Sequence, residues 1–223
     1  LVSLDEYIER MLEGQDQIYY ISSPTLDSAR NSPQLEAFRK KGVEVLLMTD
    51  TIDQFWLPIQ AEYKQKKFKS VTRGASDLSK IKSTKPDDEK PKDENAKTET
   101  AALLTRLKEL LVGEVNDVTV SDRLVDSPVC LVAPENSIDM HMNRVLKKSQ
   151  AYEDKMRPIL EINDGHPVIT KLKAFVANDT HPDLVRETAF LLLDQARIVE
   201  GEPLKNPTDF VKRLNKAIEK GLI

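Results

Sequence analysis

Residues able to carry chemistry are few in this chain, and their spacing assembles no familiar catalytic device. The glycines stand at Gly14, Gly42, Gly74, Gly113, Gly165, Gly201 and Gly221. A phosphate cradle needs closely spaced glycines so that backbone N–H groups can approach the anion, and this scatter supplies none. The histidines are His141, His166 and His181, and the last two precede Pro167 and Pro182 at apparent helix starts, a structural position that leaves metal ligation unexpected. The most enzyme-like spot is Asp50, with Asp53 beyond it, at the carboxyl end of an apolar run, where α/β sheets gather ligands. No lysine partner, nucleophile or second carboxylate cluster accompanies it, and Asp50 or Thr51 also serves to cap the next helix. Cys130 lies in the apolar run Val129 to Ala133, so it reads as a buried thiol; alone, it forms no internal disulfide. The expectation is a chain with no catalytic, cofactor-binding or metal-binding residues, and not an enzyme.

Binding surfaces are better represented. Ile138, Met142, Val145 and Leu146 recur at helical spacing with Met140 beside them, while Asn143, Arg144, Lys147 and Lys148 supply a polar side, which predicts a helix over Ser137 to Ser149. Methionines on such a stripe ordinarily pack a core. The functional alternative is a plastic apolar surface, because an unbranched thioether repacks easily against partners of different shape. Phe55 and Trp56 pose the same question: two adjacent aromatics cannot both point inward, so one of them is expected to stay accessible.

The last stretch, Asp179 to Ile223, predicts two consecutive helices. In the first, Val185, Ala189, Leu192, Ala196 and Val199 form one stripe and Leu184, Leu191 and Ile198 a second, with Phe190 and Leu193 widening the arc. The second starts at Asn206 as N-cap with Pro207 behind it, carries Phe210, Leu214, Ala217 and Ile218, and is expected to stop at Gly221. Helices apolar over most of their circumference must lie between other helices. Pairing with the same two helices of a second copy would form a four-helix bundle, with Leu184, Ala189, Leu192, Leu193, Ala196, Val199, Phe210, Leu214 and Ile218 at the dimer interface. The plainer alternative is that they cap their own core.

These surfaces need a scaffold, and the remaining pattern describes it. Ser3-Leu-Asp-Glu6 is a capping box that opens a helix running to Gly14. A strand (Ile18 to Ile21), a helix from Ser32-Pro33 to Gly42, an apolar strand (Val43 to Met48), a helix (Thr51 to Tyr63) kinked near Pro58, and a strand (Phe68 to Val71) follow. An apolar run bounded by turn residues reads as a strand covered on both faces. The expected fold is a small three-layer α/β/α domain over residues 1–74, a charged flexible linker over 75–98, and an α+β domain over 99–223 ending in the helix pair. In that second domain Leu103, Leu107, Leu110 and Leu111 mark a helix, Val118 to Val120, Val129 to Ala133 and Ile159 to Ile162 mark strands, and Pro167 to Val176 a helix. With 31% charged residues, 39% hydrophobic residues and a net charge of -4, the chain suits a soluble protein that binds neither nucleic acid nor an anionic membrane. No apolar run approaches a bilayer-spanning length and no signal-peptide pattern occurs, so a cytoplasmic setting is expected. The chain opens without methionine, directly on a helix cap, as a piece of something longer would.

Seven segments together resemble heat-shock protein 90 chaperones. Ser3 to Met11 (SLDEYIERM), Ile18 to Ile21 (IYYI), Ser32 to Glu36 (SPQLE) and Gly42 to Asp50 (GVEVLLMTD) look like the end of that family's middle domain. Leu124 to Pro128 (LVDSP), Met142 to Lys147 (MNRVLK) and Arg157 to Asn163 (RPILEIN) resemble its carboxyl-terminal dimerisation domain, and the likeness is closest to the bacterial, cytoplasmic form. The resemblance implies an ATP-driven homodimeric clamp whose ATP- and magnesium-binding domain is not in this chain, leaving homodimerisation and the binding of unfolded or partly folded clients. It implies client contacts at Ile138, Met140, Met142, Val145 and Leu146, and at Phe55 or Trp56, where the family's bacterial form carries a tryptophan; here the aromatic pair is shifted by one and Pro58 intrudes. The chain ends Lys220-Gly-Leu-Ile223, without the acidic tail that helical-repeat cochaperones recognise. The competing class is a non-catalytic dimeric adaptor for one defined partner peptide.

Overall fold

The structure, a computed structural model, describes residues 2–50, 52–57, 59–75, 78, 80–82, 94–147 and 156–222, though not the side chains of residues 54, 55, 94–96 and 222. Two compact units emerge. The first comprises Leu1–Glu89, Asp122–Val125 and Val132–Met156, and the second Lys90–Ser121, Asp126–Leu131 and Arg157–Ile223.

In the first unit, Ser3 caps α1 (Leu4–Glu9) by accepting from the Glu6 N–H, while the Glu6 carboxylate accepts from the Ser3 N–H in return, as the capping box predicts. Strand β1 (Gln17–Ser22) is followed by α2 (Leu26–Arg30), a 3-10 turn at Pro33–Leu35, α3 (Glu36–Lys41), strand β2 (Leu46–Met48) and the single turn α4 (Asp53–Trp56). Strands β3 (Glu62–Tyr63) and β4 (Lys66–Ser70) complete a sheet in the order β2-β1-β4-β3. β1 pairs in parallel with both β2 and β4, and β3 pairs antiparallel with β4. Tyr19 and Ile21 point from β1 into a core shared with Ala29, Leu35, Phe38, Val43 and Val71. Ile18, Tyr20 and Ser22 alternate onto the opposite face, as the two-residue period of a strand requires.

Several expectations change here. The run Val43 to Met48 is only partly strand, and β2 is an edge of the sheet with its three residues half-buried, not a strand covered on both faces. Thr51 to Tyr63 is not one helix: α4 is a single turn and Glu62-Tyr63 is already strand. Within the segment assigned to the linker, Leu78 and Ile81 are buried in the first core, the Lys82 N–H donates to the Glu13 carbonyl at 3.1 Å, and residues 94–98 belong to a long helix. Residues 83–93 of that segment lie outside the described residues. Boundaries differ as well: 122–125 and 132–147 fold with the first unit. Arg123 is fully buried there and donates to the Val71 and Gly74 carbonyls, the Ala37 N–H donates to Arg123 O, and the Ala133 N–H donates to Thr72 O while Gly74 donates to Ala133 O. Gly74 sits at φ +60 and a Cβ there would run into the Glu135 carboxylate, which is itself held by Lys69 at 2.6 Å.

In the second unit α5 (Glu94–Leu110), β5 (Asp117–Val120), β6 (Val129–Val132), β7 (Ile159–Ile162) and α7 (Pro167–Ala177) precede the closing helices α8 (Pro182–Glu200) and α9 (Pro207–Leu222). The sheet order is β5-β7-β6, with β5 and β7 parallel. Leu103, Leu107 and Leu111 are buried, as are Val118, Leu160 and Ile162 of the sheet and Ile169 and Leu172 of α7. His166 caps α7, its Nδ1 accepting from the Val168 N–H at 3.2 Å, and the ring of His181 meets Phe175 edge-on ahead of Pro182. Asn206 caps α9 by accepting from the Asp209 N–H at 3.1 Å; the helix passes through Gly221 instead of stopping there. Arg197, on α8, binds Asp194 at 3.0 Å and also Glu114, which Lys205 reaches at 2.9 Å. Burial opposes ionisation of Glu114, but hydrogen bonds from Lys205 and Arg197 outweigh it and hold the carboxyl below its ordinary range.

Two outcomes follow from these cores. Tyr7 is buried, with its hydroxyl donating to the Glu44 carbonyl at 2.8 Å and accepting from the Gln15 amide and the Tyr19 N–H. Tyr7→Phe is expected to cost about 1–3 kcal/mol in urea unfolding at neutral pH, since partners are left unsatisfied. Burial pushes the Tyr7 hydroxyl up to about 12 from 10.0, so its neutral form is favoured in the folded chain, and stability should fall as pH rises between those values. The variant should lose that part of the alkaline decline. Leu192→Ala, at a site 5% exposed within one copy, should lower the folding stability of the second unit by about 2–5 kcal/mol, read by its chemical-denaturation midpoint.

Candidate functional site

Strand order sets where a crevice opens. β1 is flanked by β2 on one side and β4 on the other, both parallel to it, so the chain leaves β1 toward β2 and later crosses back past β1 to form β4. Such a switch point leaves a gap beyond the strand end. The gap is a groove of about 350 Å³ lined by Tyr20 and Ser22 from β1, Arg73 after β4, Leu57 after α4, and Asn136, Ser137, Ile138, Asp139 and Met142. Every one of these residues belongs to the first unit.

The helix behind the groove, α6, is shorter than its stripe predicts: it runs over Met140–Lys147, Ile138 precedes it, and residues 148–155 lie outside the described residues. Asp139 caps it, its Oδ1 accepting from the Met142 N–H at 2.8 Å. Met140 is 1% exposed and Asn143 is also buried, so the inward face is made by those two, and Met140 is corrected from a binding residue to an anchor. Asn143, expected on the polar side, is likewise an inward residue. The helical period explains both: 140 and 143 are one turn apart on the face opposite the outward stripe. Ile138, Met142 and Leu146 are half-buried and Val145 is 36% exposed, while only Ile138 and Met142 reach the groove.

The aromatic pair contributes less directly. Trp56 is half-buried, stacks edge-on against Phe68 at 5.6 Å and donates its indole N–H to Asp53 Oδ1 at 3.0 Å. Its neighbour Leu57, not singled out by the sequence, lines the groove. The Phe55 side chain lies outside the described residues. Asp50 and Asp53 brace the turn that leads into α4, whose N-cap position is Ile52: Asp50 Oδ1 accepts from the Ile52 N–H and Asp53 Oδ2 from the Asp50 N–H. That structural duty uses the two carboxylates, and neither lines the groove. Among the described residues no cluster of His, Cys, Asp and Glu could hold a metal ion, and no helix is long and apolar enough to cross a membrane. Cys130 is buried, with its Sγ 3.8 Å from Glu161.

Sequence reasoning missed Tyr20, Ser22 and Arg73. The available signal was a polar Ser22-Ser23 pair directly behind an apolar strand, which marks a strand end, but without the strand order that end has no special status. Around Tyr20 the charges oppose one another. Burial raises its hydroxyl above the ordinary tyrosine range, Asp139 adds to the rise, and Arg73 and a hydrogen bond with Ser70 counter it.

A second surface lies on the closing helices. Ala189, Leu192, Leu193 and Ala196 of α8 are buried in the second unit's own core, which removes them from any interface with a second copy. Helix α8 packs against α5 and α7 through that face. What remains uncovered is Val199 (53% exposed) with Ile198 on α8, and Val211, Leu214 (39%) and Ile218 (49%) along one side of α9. Leu184 and Phe210 are half-buried, and Leu184, Leu191 and Ala217 line a crevice between α8 and α9.

The chain is matched over residues 1–223 by the family model described as "Hsp90 protein". Its curated relatives include proteins named "Chaperone protein HtpG" from Roseobacter denitrificans (44% identical, covering 100% of this chain and 36% of the relative), from Rhizobium etli (42%, covering 99% and 34%) and from Paramagnetospirillum magneticum (43%, covering 100% and 36%). This chain thus spans roughly a third of the length of those relatives. A family match over the whole chain, together with these identities, establishes that the chain belongs to the Hsp90 protein family.

Proposed function

We propose that this chain is the client-holding and self-pairing portion of an Hsp90-type chaperone, equivalent to the end of the middle domain and the carboxyl-terminal dimerisation domain of such proteins. The segments Ser3 to Met11, Leu124 to Pro128 and Arg157 to Asn163 support that placement, as does the absence from this sequence of a glycine-rich phosphate loop. Nucleotide hydrolysis, with ATP and magnesium, belongs in this reading to another part of the whole protein. The observation that carries the client-holding role is the division of α6 between an anchored face, Met140 and Asn143, and a half-exposed apolar face, Ile138, Met142, Val145 and Leu146, beside an open groove. A rigidly held helix offering flexible thioether and aliphatic groups suits weak, exchangeable contacts with partly folded chains.

Self-pairing is supported by α9, whose Val211, Leu214 and Ile218 repeat on one face and stay 50%, 39% and 49% exposed within one copy. Two such faces related by a twofold axis would bury each other, with Ile198 and Val199 at the margin, and α8 and α9 of both copies would form the four-helix bundle.

Each half has its own test. Met142→Asp with Leu146→Asp should abolish suppression of client aggregation while light scattering returns the unaltered mass; undiminished suppression would overturn the client reading. Leu214→Asp with Ile218→Asp should halve the mass seen in sedimentation and leave the unfolding midpoint of the second unit little changed, because both residues are already exposed within one copy.

A further inference from the structure

The groove at the carboxyl end of β1 holds hydrogen-bonding groups that the chain itself does not use. Ser22 is only 6% exposed and its Oγ has no partner among the described residues, and the same holds for the buried Nε–H of Arg73 in the same groove. Arg73 is not idle, since one of its terminal nitrogens donates to the Ser137 carbonyl at 3.4 Å, which ties its guanidinium to the groove wall. Buried polar groups are almost always satisfied, and two orphans lining one opening mark a place where an acceptor is expected from outside. Beside them Leu57, Ile138 and Met142 give apolar lining.

We propose that this groove takes an extended peptide segment through one large apolar side chain seated against Leu57, Ile138 and Met142, and reads the neighbouring backbone carbonyls with the Ser22 hydroxyl and the Arg73 Nε–H. The proposal rests on the client-holding reading and gives that site its ligand chemistry. Charge balance selects a neutral acceptor over a carboxylate: Arg73 and Asp139 line the same groove with opposite charges, and the Asp139 carboxylate is fixed there by the Met142 N–H. A carbonyl oxygen has two lone pairs and no net charge, so it can accept from both donors without upsetting that balance. The volume, about 350 Å³, suits one large side chain with its flanking peptide groups.

The test is a methyl and amide NMR titration of the full chain with the doubly capped peptide acetyl-Gly-Leu-Gly-amide, followed at the Met142 methyl and the Ser22 amide, with N-acetylleucine as the carboxylate probe. The capped peptide should shift both signals and bind more tightly than the free acid. Ser22→Ala should weaken it about fivefold, on the scale of one hydrogen bond, and Arg73→Lys, which keeps the charge but removes Nε–H, should do likewise. Because nothing among the described residues bonds the Ser22 hydroxyl, Ser22→Ala should leave the melting temperature unlowered, which separates a binding role from a folding one. Equal peptide affinity in wild type and Ser22→Ala, or tighter binding of N-acetylleucine than of the capped peptide, would overturn the proposal. If wild type suppresses client aggregation yet takes no capped peptide into the groove, this inference fails and the client-holding reading stands; if it does neither, both fail.

Discussion

An apolar helix can give only one of its faces to its own core, and two helices here carry more apolar surface than that. In α6 the core takes Met140 and Asn143, leaving Ile138, Met142, Val145 and Leu146 partly open. In α8 it takes Ala189, Leu192, Leu193 and Ala196, leaving Ile198 and Val199 beside the uncovered side of α9. Burial of apolar area is the main favourable term in folding and association alike, so surface left over within one copy is surface available to another molecule.

The first unit adds a constraint of a different kind. β1 lies between two parallel neighbours, is buried from Ile18 to Ser22 and ends at a groove, and the long-range bonds of Arg123 to the Val71 and Gly74 carbonyls hold the chain that follows β4. A buried guanidinium satisfied by carbonyls is costly to disturb, since loss of its partners would leave a charge stranded in the interior. Arg73, which lines the groove, stands three residues beyond the end of β4 and between the two carbonyls that Arg123 holds.

Local chemistry was legible wherever a short pattern had one physical meaning. The Ser3 capping box, the His166-Pro167 helix start, the Asn206 cap and the buried Cys130 all stand where their residue types require. Three features were not legible. The β3–β4 turn places Lys64 and Gln65 at positive φ, where glycine or asparagine is the usual signal, so the sequence carries no mark of the hairpin. The four-residue shift by which residues 122–125 join the first unit depends on Arg123 reaching partners some fifty positions away, which no window of sequence contains. Which apolar stripe faces inward on α8 depended on packing against α5 and α7, and the stripe chosen for self-pairing was largely the one that the chain's own core uses. Of the candidate binding residues, Ile138 and Met142 do reach the groove, whereas Met140 anchors the helix that carries them.

The central proposal is that leftover apolar surface is what this chain contributes to an Hsp90-family protein, and the exposed side of α9 is the part of it proposed to self-pair. Sedimentation equilibrium of the unaltered chain at micromolar concentration tests that claim directly. A mass of two copies, dissociating reversibly on dilution, is the result predicted; a mass of one copy throughout the range would contradict it.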